Sequence, residues 1–514
     1  MVYLNQMKFI NCLNKYKYFI IFLILGLLIF MYPLLGTKFD VLLGGYDNLY
    51  YNYVLEHSLL WIKGVHNSFW SAPFNYESMY SIAQVDSLFA YSPLFWIIRL
   101  FIKNPITAFQ VLFIILCFLN YLTFYMLLKT IKLNDLACAF GAFIFAFSTL
   151  RFFNLDNIAT FSQFLSIISL ICILKINKNN KPIVNNIYFI TCTLFLVLQF
   201  YTCFAIGYFF IFCLMFAVLF SLLPKNSRDI VISYIKEFYK QILFYSFAVF
   251  LSLIPMAYYF SVVNYVNPIS KILSNIANYT IWIRSLSILD NIFHYRFEYV
   301  AQNANISSMS AGILTTFVAI YALFKTPKIK GFSLMTLLFI IFSCSGYSAI
   351  YFWRVFYYFS FGAESMESVN SVSFWVLVII AFGIALFCNN VRNKVLLFAA
   401  ILFVLTEQIS YDKDLNSAVR YNFISKSNFI NSINNIKVED DIIKVIPKAI
   451  NQNEYGKGDI ELKNNTAQKI ADLKALWLSL KENKPTLNNY MKKMNPINNH
   501  PAKNIVIFID YNQI

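Results

Sequence analysis

Acidic residues and histidines are concentrated in the stretch 37–105, which follows the first apolar run of the chain. They are Asp40, Asp47, Glu56, Glu77 and Asp86, together with His57 and His66. A carboxylate can accept the proton of an attacking alcohol, or bind a divalent cation through its oxygens. The spacing also fits a simpler interpretation, in which these are solvated loop acids and Asp47 caps a helix.

A helix is predicted to begin near Asp47, because Gly44 and Gly45 form a turn and the run YDNLYYNYVLEHSLLWIKG follows. Asp47 and Glu56 are separated by about 2.5 helical turns, so their side chains would face opposite sides of one helix. The two carboxylates can share a pocket only if Asp47 lies at the helix start, where backbone N–H groups and the helix dipole favour a negative charge.

The composition predicts the architecture of the domain that positions this stretch. Of the 514 residues, 59% are hydrophobic and only 13% are charged, whereas soluble domains are about 45–50% apolar and about 25% charged. This composition excludes a cytosolic enzyme, a disordered chain and a disulfide scaffold. It predicts a mostly α-helical bundle that crosses the membrane about 11 times. The predicted spans are 17–36, 106–128, 135–150, 158–174, 185–204, 205–222, 241–260, 309–324, 332–352, 371–388 and 394–410.

The charges predict the orientation of these spans. Lys and Arg far outnumber acids in the short segments that are inside if the N-terminus is inside, whereas the outer loops are nearly balanced. The apolar run 88–102 contains Pro93 and Arg99 and is predicted to be an interfacial helix that does not cross. The net charge of +16 is therefore mainly an orientation signal, and we expect no nucleic-acid partner.

The chain divides into a transmembrane domain, 1–410, and an extracytoplasmic C-terminal domain, 411–514. The large outer loops are 37–105 and 261–308, and 223–240 is predicted to be the longest inner loop. In the tail, 442–447 and 504–510 are predicted strands and 467–482 a predicted helix, which together indicate a small α/β or α+β domain. The nine cysteines lie in spans or before the first one, so no disulfide framework is expected.

The runs GGYDNLYYNYVLEH, NSFWSAPFNYESMYSIAQVDSLFAYSPLFW and FGAFIFAFSTLRFF resemble the N-terminal half of bacterial multi-pass GT-C type glycosyltransferases. The resemblance covers about residues 40–175 and returns weakly at LKALWLSLKENKPTLNNY in the tail. Asp47, Glu56, Asp86 and Arg151 fall on the family's motif positions. Relatives usually have Gly where this chain has Tyr46, so the chain resembles a diverged member of the family.

The resemblance implies a GT-C-like fold and transfer of a sugar from a polyprenyl-phosphate carrier to an envelope glycan or lipid acceptor, with inversion. It implies the outer face of a bacterial plasma membrane as the place of reaction. Asp47 is then the base, and Glu56 and Asp86 orient it, bind sugar hydroxyls or hold a divalent metal such as Mg²⁺ or Mn²⁺. Metal dependence stays open. The candidate substrate-binding residues are Arg151, His57, Arg284, His294, Arg296 and Glu407.

Simpler roles compete with these assignments. The arginines can snorkel to lipid headgroups, His294 can be a surface residue, and Glu407 can face the helix bundle. Two other functions also compete with glycosyl transfer. One is a glycolipid transporter or flippase, and the other is a non-catalytic protein of envelope assembly that shares the fold.

Overall fold

The structure is a computed structural model that describes residues 16–29, 31, 34–35, 37–43, 45–73, 80–155, 157–263, 311–326, 358, 371–408, 421–434, 443–447, 472–481 and 505–509. Most of these residues are helical. Within this part of the chain, six helices are long and apolar enough to cross a membrane, if Ile158–Lys175, which has a two-residue break, is counted as one. The chain is therefore a helical membrane protein. The predicted number of 11 spans stays a prediction, since span 332–352 lies outside the described residues.

The first half begins with α1 (Tyr16–Ile29) and strand β1 (Val41–Leu43), and continues with α2 (Gly45–Ile62) and α3 (Ser92–Phe101). Two 3₁₀ turns, Ser81–Gln84 and Phe89–Tyr91, connect α2 to α3. Next come α4 (Pro105–Thr130), α5 (Asp135–Phe147), α6 (Thr149–Phe153), α7 (Ile158–Phe161) and α8 (Phe164–Lys175). Helix α2 thus begins where the sequence predicts it, and α3 occupies the predicted interfacial run.

The second half contains α9 (Pro182–Thr202), α10 (Phe204–Ser221), α11 (Lys225–Val262), α12 (Ile313–Lys325), α13 (Val372–Asn390) and α14 (Lys394–Gln408). The tail contributes β2 (Tyr421–Ser425), α15 (Lys426–Asn434), β3 (Ile443–Pro447), α16 (472–481) and β4 (Ile505–Ile509). Strands β3 and β4 lie at the two predicted strand positions and pair in parallel. That they belong to a separate α/β domain stays a prediction.

The prediction that 223–240 is a loop is wrong, because the segment is helical from Lys225 and forms the first part of α11; its position on the inner side stays a prediction. Ser227, Val231, Tyr234 and Phe238 are its more buried positions, and they recur every three to four residues, as on one face of a helix. The charged residues between them lower the local hydropathy, which hides the helical period from a search for apolar runs.

The membrane core is one apolar cluster of side chains from α1, α4, α5, α8, α10 and α13. Close approach of backbones depends on small residues: a Cβ at Gly141 of α5 would lie 2.8 Å from the Ala385 side chain of α13. Because lipid tails are as apolar as the helices, packing of this kind drives helix association in membranes.

A layer formed by β1, α2, β2, α15 and α16, which we predict to lie on the outer side and call the outer layer, joins the first loop to the tail. Strand β1 pairs antiparallel with β2, and the Asp40 carboxylate accepts a hydrogen bond from the Ser427 N–H (3.2 Å) at the start of α15. A second apolar cluster combines residues of α2 and the following loop, such as Tyr53 and Phe69, with Phe429 of α15 and Trp477 of α16. The tail therefore folds onto the segment that carries Asp47.

Gly312 precedes α12 with φ of +104°, and a Cβ on it would collide with the carboxylate of Glu407. We expect Gly312→Ala to destabilise the protein by about 1–3 kcal/mol, since the left-handed conformation and the collision both oppose a side chain. Thermal unfolding in detergent measures the loss. Gly64→Ala is the matched control, because Gly64 has φ of +75° with nothing within 4 Å of its Cβ position. An equal loss in both variants would contradict a role for the collision.

Candidate functional site

Asp47 lies in the first turn of α2 and is half-buried, whereas the residues that follow it on the helix are buried. The β1–β2 pairing fixes the backbone just before this turn. The helix dipole places partial positive charge beside the carboxylate. One turn of α2 is anchored to the membrane domain where the Asn48 amide donates to the carbonyl of Leu155 (2.7 Å). The carboxylate is thus presented at the edge of a rigid layer.

Glu56 is buried on the opposite side of α2 and pairs with Arg99 of α3. The guanidinium contacts both carboxylate oxygens, with Nη2 3.3 Å from Oε2, and Nη1 also donates to the carbonyl of Ile102 (2.8 Å). Burial raises the pKa of Glu56, and the hydrogen bond and charge of Arg99 offset part of that rise. The ion pair joins α2 to α3, the helix that we predict to be interfacial.

Asp86 lies where the segment between α2 and α3 contacts the break between α9 and α10. Its carboxylate interacts with the thiol of Cys203 by a side-chain hydrogen bond. The next residues are held by the end of α9: Leu88 N–H donates to the carbonyl of Thr202 (3.3 Å), and Ala90 N–H to its hydroxyl (3.1 Å). Asp86 is therefore positioned by a helix end that is far from Asp47 in sequence.

Arg151 is fully buried. Its Nε donates to the carbonyl of Phe145 (3.0 Å), and its other nitrogens donate to the Phe161 carbonyl and the Gln163 amide oxygen. The ring centroids of Phe145 and Phe374 lie 4.7 and 5.0 Å from the guanidinium carbon. The cation is stabilised by carbonyl dipoles and aromatic faces. A role in binding a substrate phosphate stays a prediction.

Tyr91 links two of the predicted residues. Its hydroxyl donates to the carbonyl of Ser162 (3.2 Å), and both Asp86 and Arg151 are close enough for their charges to act on it. Arg151 donates to Phe161 and Gln163, the two neighbours of Ser162, so Tyr91 and Arg151 meet at the same turn. Glu56 instead belongs to the α2–α3 contact, so the four motif residues fall into separate environments rather than into one demonstrated cluster.

His57 and His66 form a buried pair that the sequence analysis missed. Their Nδ1 atoms are 2.7 Å apart, and the His57 Nε2 is 2.9 Å from the carbonyl of Phe69. Since only one of two facing Nδ1 atoms can carry the shared proton, the contact requires at least one neutral imidazole. Burial lowers the pKa of His57 from 6.5 to about 4. The ring therefore stays neutral over most of the physiological range.

This pair predicts acid sensitivity of the outer layer. His57 in the unfolded chain gains a proton as the pH falls through 6.5, whereas the folded protein resists protonation down to about pH 4. Stability should therefore fall by up to about 3 kcal/mol across that interval. The melting temperature measured against pH tests this, with His57→Gln as the comparison. An equally steep loss in the variant would contradict the assignment.

Glu407 acts as a helix cap for α12. Its carboxylate accepts hydrogen bonds from the N–H groups of Leu314 (2.8 Å) and Thr315 (2.7 Å), and from the Thr315 hydroxyl (2.7 Å). A carboxylate at a helix N-terminus satisfies unpaired N–H groups and is stabilised by the dipole. This contact explains why an acid is tolerated at the end of a predicted span. Substrate binding by Glu407 stays a prediction.

Arg284, His294 and Arg296 lie outside the described residues. Among the residues that are described, no group of three or more His, Cys, Asp or Glu side chains is placed to hold a metal ion. Sequence reasoning missed two pairings, that of Arg99 with Glu56 and that of His66 with His57. Arg99 could have been suspected, because a cation in an interfacial apolar run needs a partner.

Comparison with known proteins identifies no relative of this chain. No protein-family model matches the chain, and neither the curated proteins nor the solved structures contain a significant match to it.

Proposed function

We propose that the protein transfers a sugar from a polyprenyl-phosphate carrier to an envelope glycan or lipid acceptor on the outer face of a bacterial plasma membrane. The observation that carries this proposal is the position of Asp47. It is a half-buried carboxylate at the start of α2, held between an apolar membrane domain and a tail that packs on the same helix. Such a boundary is where a lipid-bound donor and a polar acceptor can meet.

In the proposed reaction, an acceptor hydroxyl attacks the anomeric carbon of the sugar. A carbon–oxygen bond forms, the bond from the anomeric carbon to the phosphate oxygen breaks, and that oxygen keeps the electron pair. Asp47 takes the hydroxyl proton as general base. Glu56 and Arg99 join α2 to α3 through their ion pair, which helps to hold the helix that carries Asp47 in position.

Aromatic side chains around Tyr201, whose carbonyl accepts a hydrogen bond from the Ser87 hydroxyl, offer a surface for sugar or prenyl groups. Trp70 stacks on Tyr259 of α11 with centroids 4.5 Å apart, and Tyr80 meets the same ring at 4.8 Å. Tyr201, at the end of α9, lies 6.3 Å from Trp70. Ligand sites are commonly lined by aromatic groups with a few polar ones. This surface is consistent with a donor that carries both a sugar and a hydrocarbon chain.

The test uses the purified full chain in vesicles that contain a radiolabelled polyprenyl-phosphate sugar and a membrane extract as acceptor. We expect label to move from the carrier to a second product in a protein-dependent manner, with release of polyprenyl phosphate. A panel of carrier-linked hexoses and pentoses identifies the sugar. No transfer with any of them, in protein that retains its melting transition, would refute the proposal.

A glycolipid transporter is the second candidate. The chain is broken between α7 and α8 at Ser162 and Gln163, next to the buried Arg151. Breaks in spanning helices around buried polar groups are typical of transporters. The same vesicles separate the two functions, because a flippase moves the labelled carrier between leaflets without releasing polyprenyl phosphate.

A further inference from the structure

Helix α11 is longer than the membrane requires. Its 38 residues extend about 57 Å at 1.5 Å per residue, whereas the hydrocarbon core of a bilayer is about 30 Å thick. At least one end of this helix must therefore extend beyond the hydrocarbon, unless the whole helix is strongly tilted.

Contacts with α9 show which residues of the two helices lie side by side along the helix axis. The rings of Phe189 and Tyr245 stack 5.1 Å apart, and the Tyr201 hydroxyl donates to the carbonyl of Ser252 (2.9 Å). The two helices run in the same direction with an offset of 51 to 56 positions in these contacts, so Pro182, the first residue of α9, lies level with residue 233 or a later residue of α11. Residues 225–231 thus project about 10 Å beyond the start of α9.

The projecting end and the turns next to it carry exposed basic side chains. These are Lys225, Arg228, Lys236 and Lys240. The only acids between residues 225 and 240 are Asp229 and Glu237. The segment that links α8 to α9 adds Lys175, Lys178 and Lys181 without any acid. This end of α11 is on the face that we predict to be inside.

Apolar side chains are exposed on the same turns. Ile230 is 70% exposed and Tyr239 49% exposed, while Phe238 is buried against Phe189 of α9. A helix with exposed apolar and basic positions at a membrane boundary suits the interface between acyl chains and headgroups. Apolar side chains enter the interface and the basic groups reach the anionic headgroups above them.

We propose that the first four turns of α11 bind anionic phospholipid headgroups at the inner membrane surface. Charge complementarity identifies this occupant, because basic residues predominate on the exposed side and the helix is continuous with a membrane span. The proposal is independent of the reaction on the outer face.

The experiment reconstitutes the full chain in phosphatidylcholine vesicles that contain spin-labelled phosphatidylglycerol or spin-labelled phosphatidylcholine. The ratio of motionally restricted lipid in the two samples gives the preference for the anionic headgroup. We expect a clear preference in the wild type, which falls as salt is added. The variant Lys225→Gln/Arg228→Gln/Lys236→Gln/Lys240→Gln should lower the preference for the anionic headgroup by at least about 5-fold. A factor of about 5 corresponds to the loss of one basic charge near the membrane surface.

The matched control removes the same charges elsewhere on the predicted inner face, with Lys132→Gln/Lys325→Gln/Arg392→Gln/Lys394→Gln. All of these side chains are exposed, so both variants should fold. The control should retain most of the preference. An unchanged preference in the α11 variant, or an equal loss in the control, would overturn the proposal.

Discussion

Asp47→Asn is expected to lower the rate of sugar transfer by about 10²–10⁴-fold, which is the usual contribution of a general base. The amide has nearly the same shape as the carboxylate but cannot take the proton of the acceptor hydroxyl. Because Asp47 is half-buried at a helix start, the variant should lose little stability, and binding of the carrier-linked donor should change less than turnover. Single-turnover transfer from the labelled donor separates these two effects.

Asp229→Asn is the control for Asp47, because Asp229 is an exposed acid on the predicted inner face and contacts only its neighbour Arg228 (4.0 Å) among the ion pairs found in the described residues. It should transfer sugar at the wild-type rate. Normal turnover in an Asp47→Asn protein that reaches the membrane in normal amounts would remove Asp47 from the chemistry. Asp86 would then be the next candidate.

Breaking the ion pair between Glu56 and Arg99 should destabilise the protein by about 3 kcal/mol, because removal of one partner leaves the other charge buried and uncompensated. The side chains are only 10% and 16% exposed. We expect Glu56→Gln and Arg99→Gln to have similar effects, and the double variant to lose less than the sum of the two by about 1–3 kcal/mol. Urea or thermal unfolding in detergent measures the free energy of unfolding of the wild type, the two single variants and the double variant.

The same cycle assigns a role to Glu56. If Glu56 positions α2, activity per folded molecule should fall equally in both single variants and recover in part in the double variant. If Glu56 contacts the substrate, only the variants that lack its carboxylate should lose turnover. Strictly additive losses of stability would contradict the ion pair itself.

Local features of the outer layer were predictable from sequence, while its long-range contacts were not. A turn, a helix N-terminal acid and a run of apolar residues suffice to place the start of α2 near Asp47, and the two tail strands are short apolar runs. The pairing of His57 with His66 was not predictable from helical spacing, because the chain turns back after Ile62 and the contact crosses that turn. Glu56 meets Arg99 only because α2 and α3 pack together.

Hydropathy also failed to predict the full length of α11, whose first part is amphipathic. The apolar part of α11 was recognisable as a span, but the segment before it is charged and was therefore predicted to be a loop. The helix continues because its buried positions recur at helical spacing against α9. Arg151 illustrates the same limit, since its burial depends on a chain break at Ser162 and Gln163 that apolar runs do not reveal.

The pairing of β1 with β2 has a consequence for synthesis of the protein. Leu43 pairs with Tyr421, so β1, near the start of the chain, cannot pair until β2 has been translated much later. At about 5–20 residues per second, that interval is roughly 20–80 s. During this time the edge of β1 and the apolar side of α2 are without the tail that covers them. Chaperones or the membrane-insertion machinery have that interval in which to shield them from aggregation.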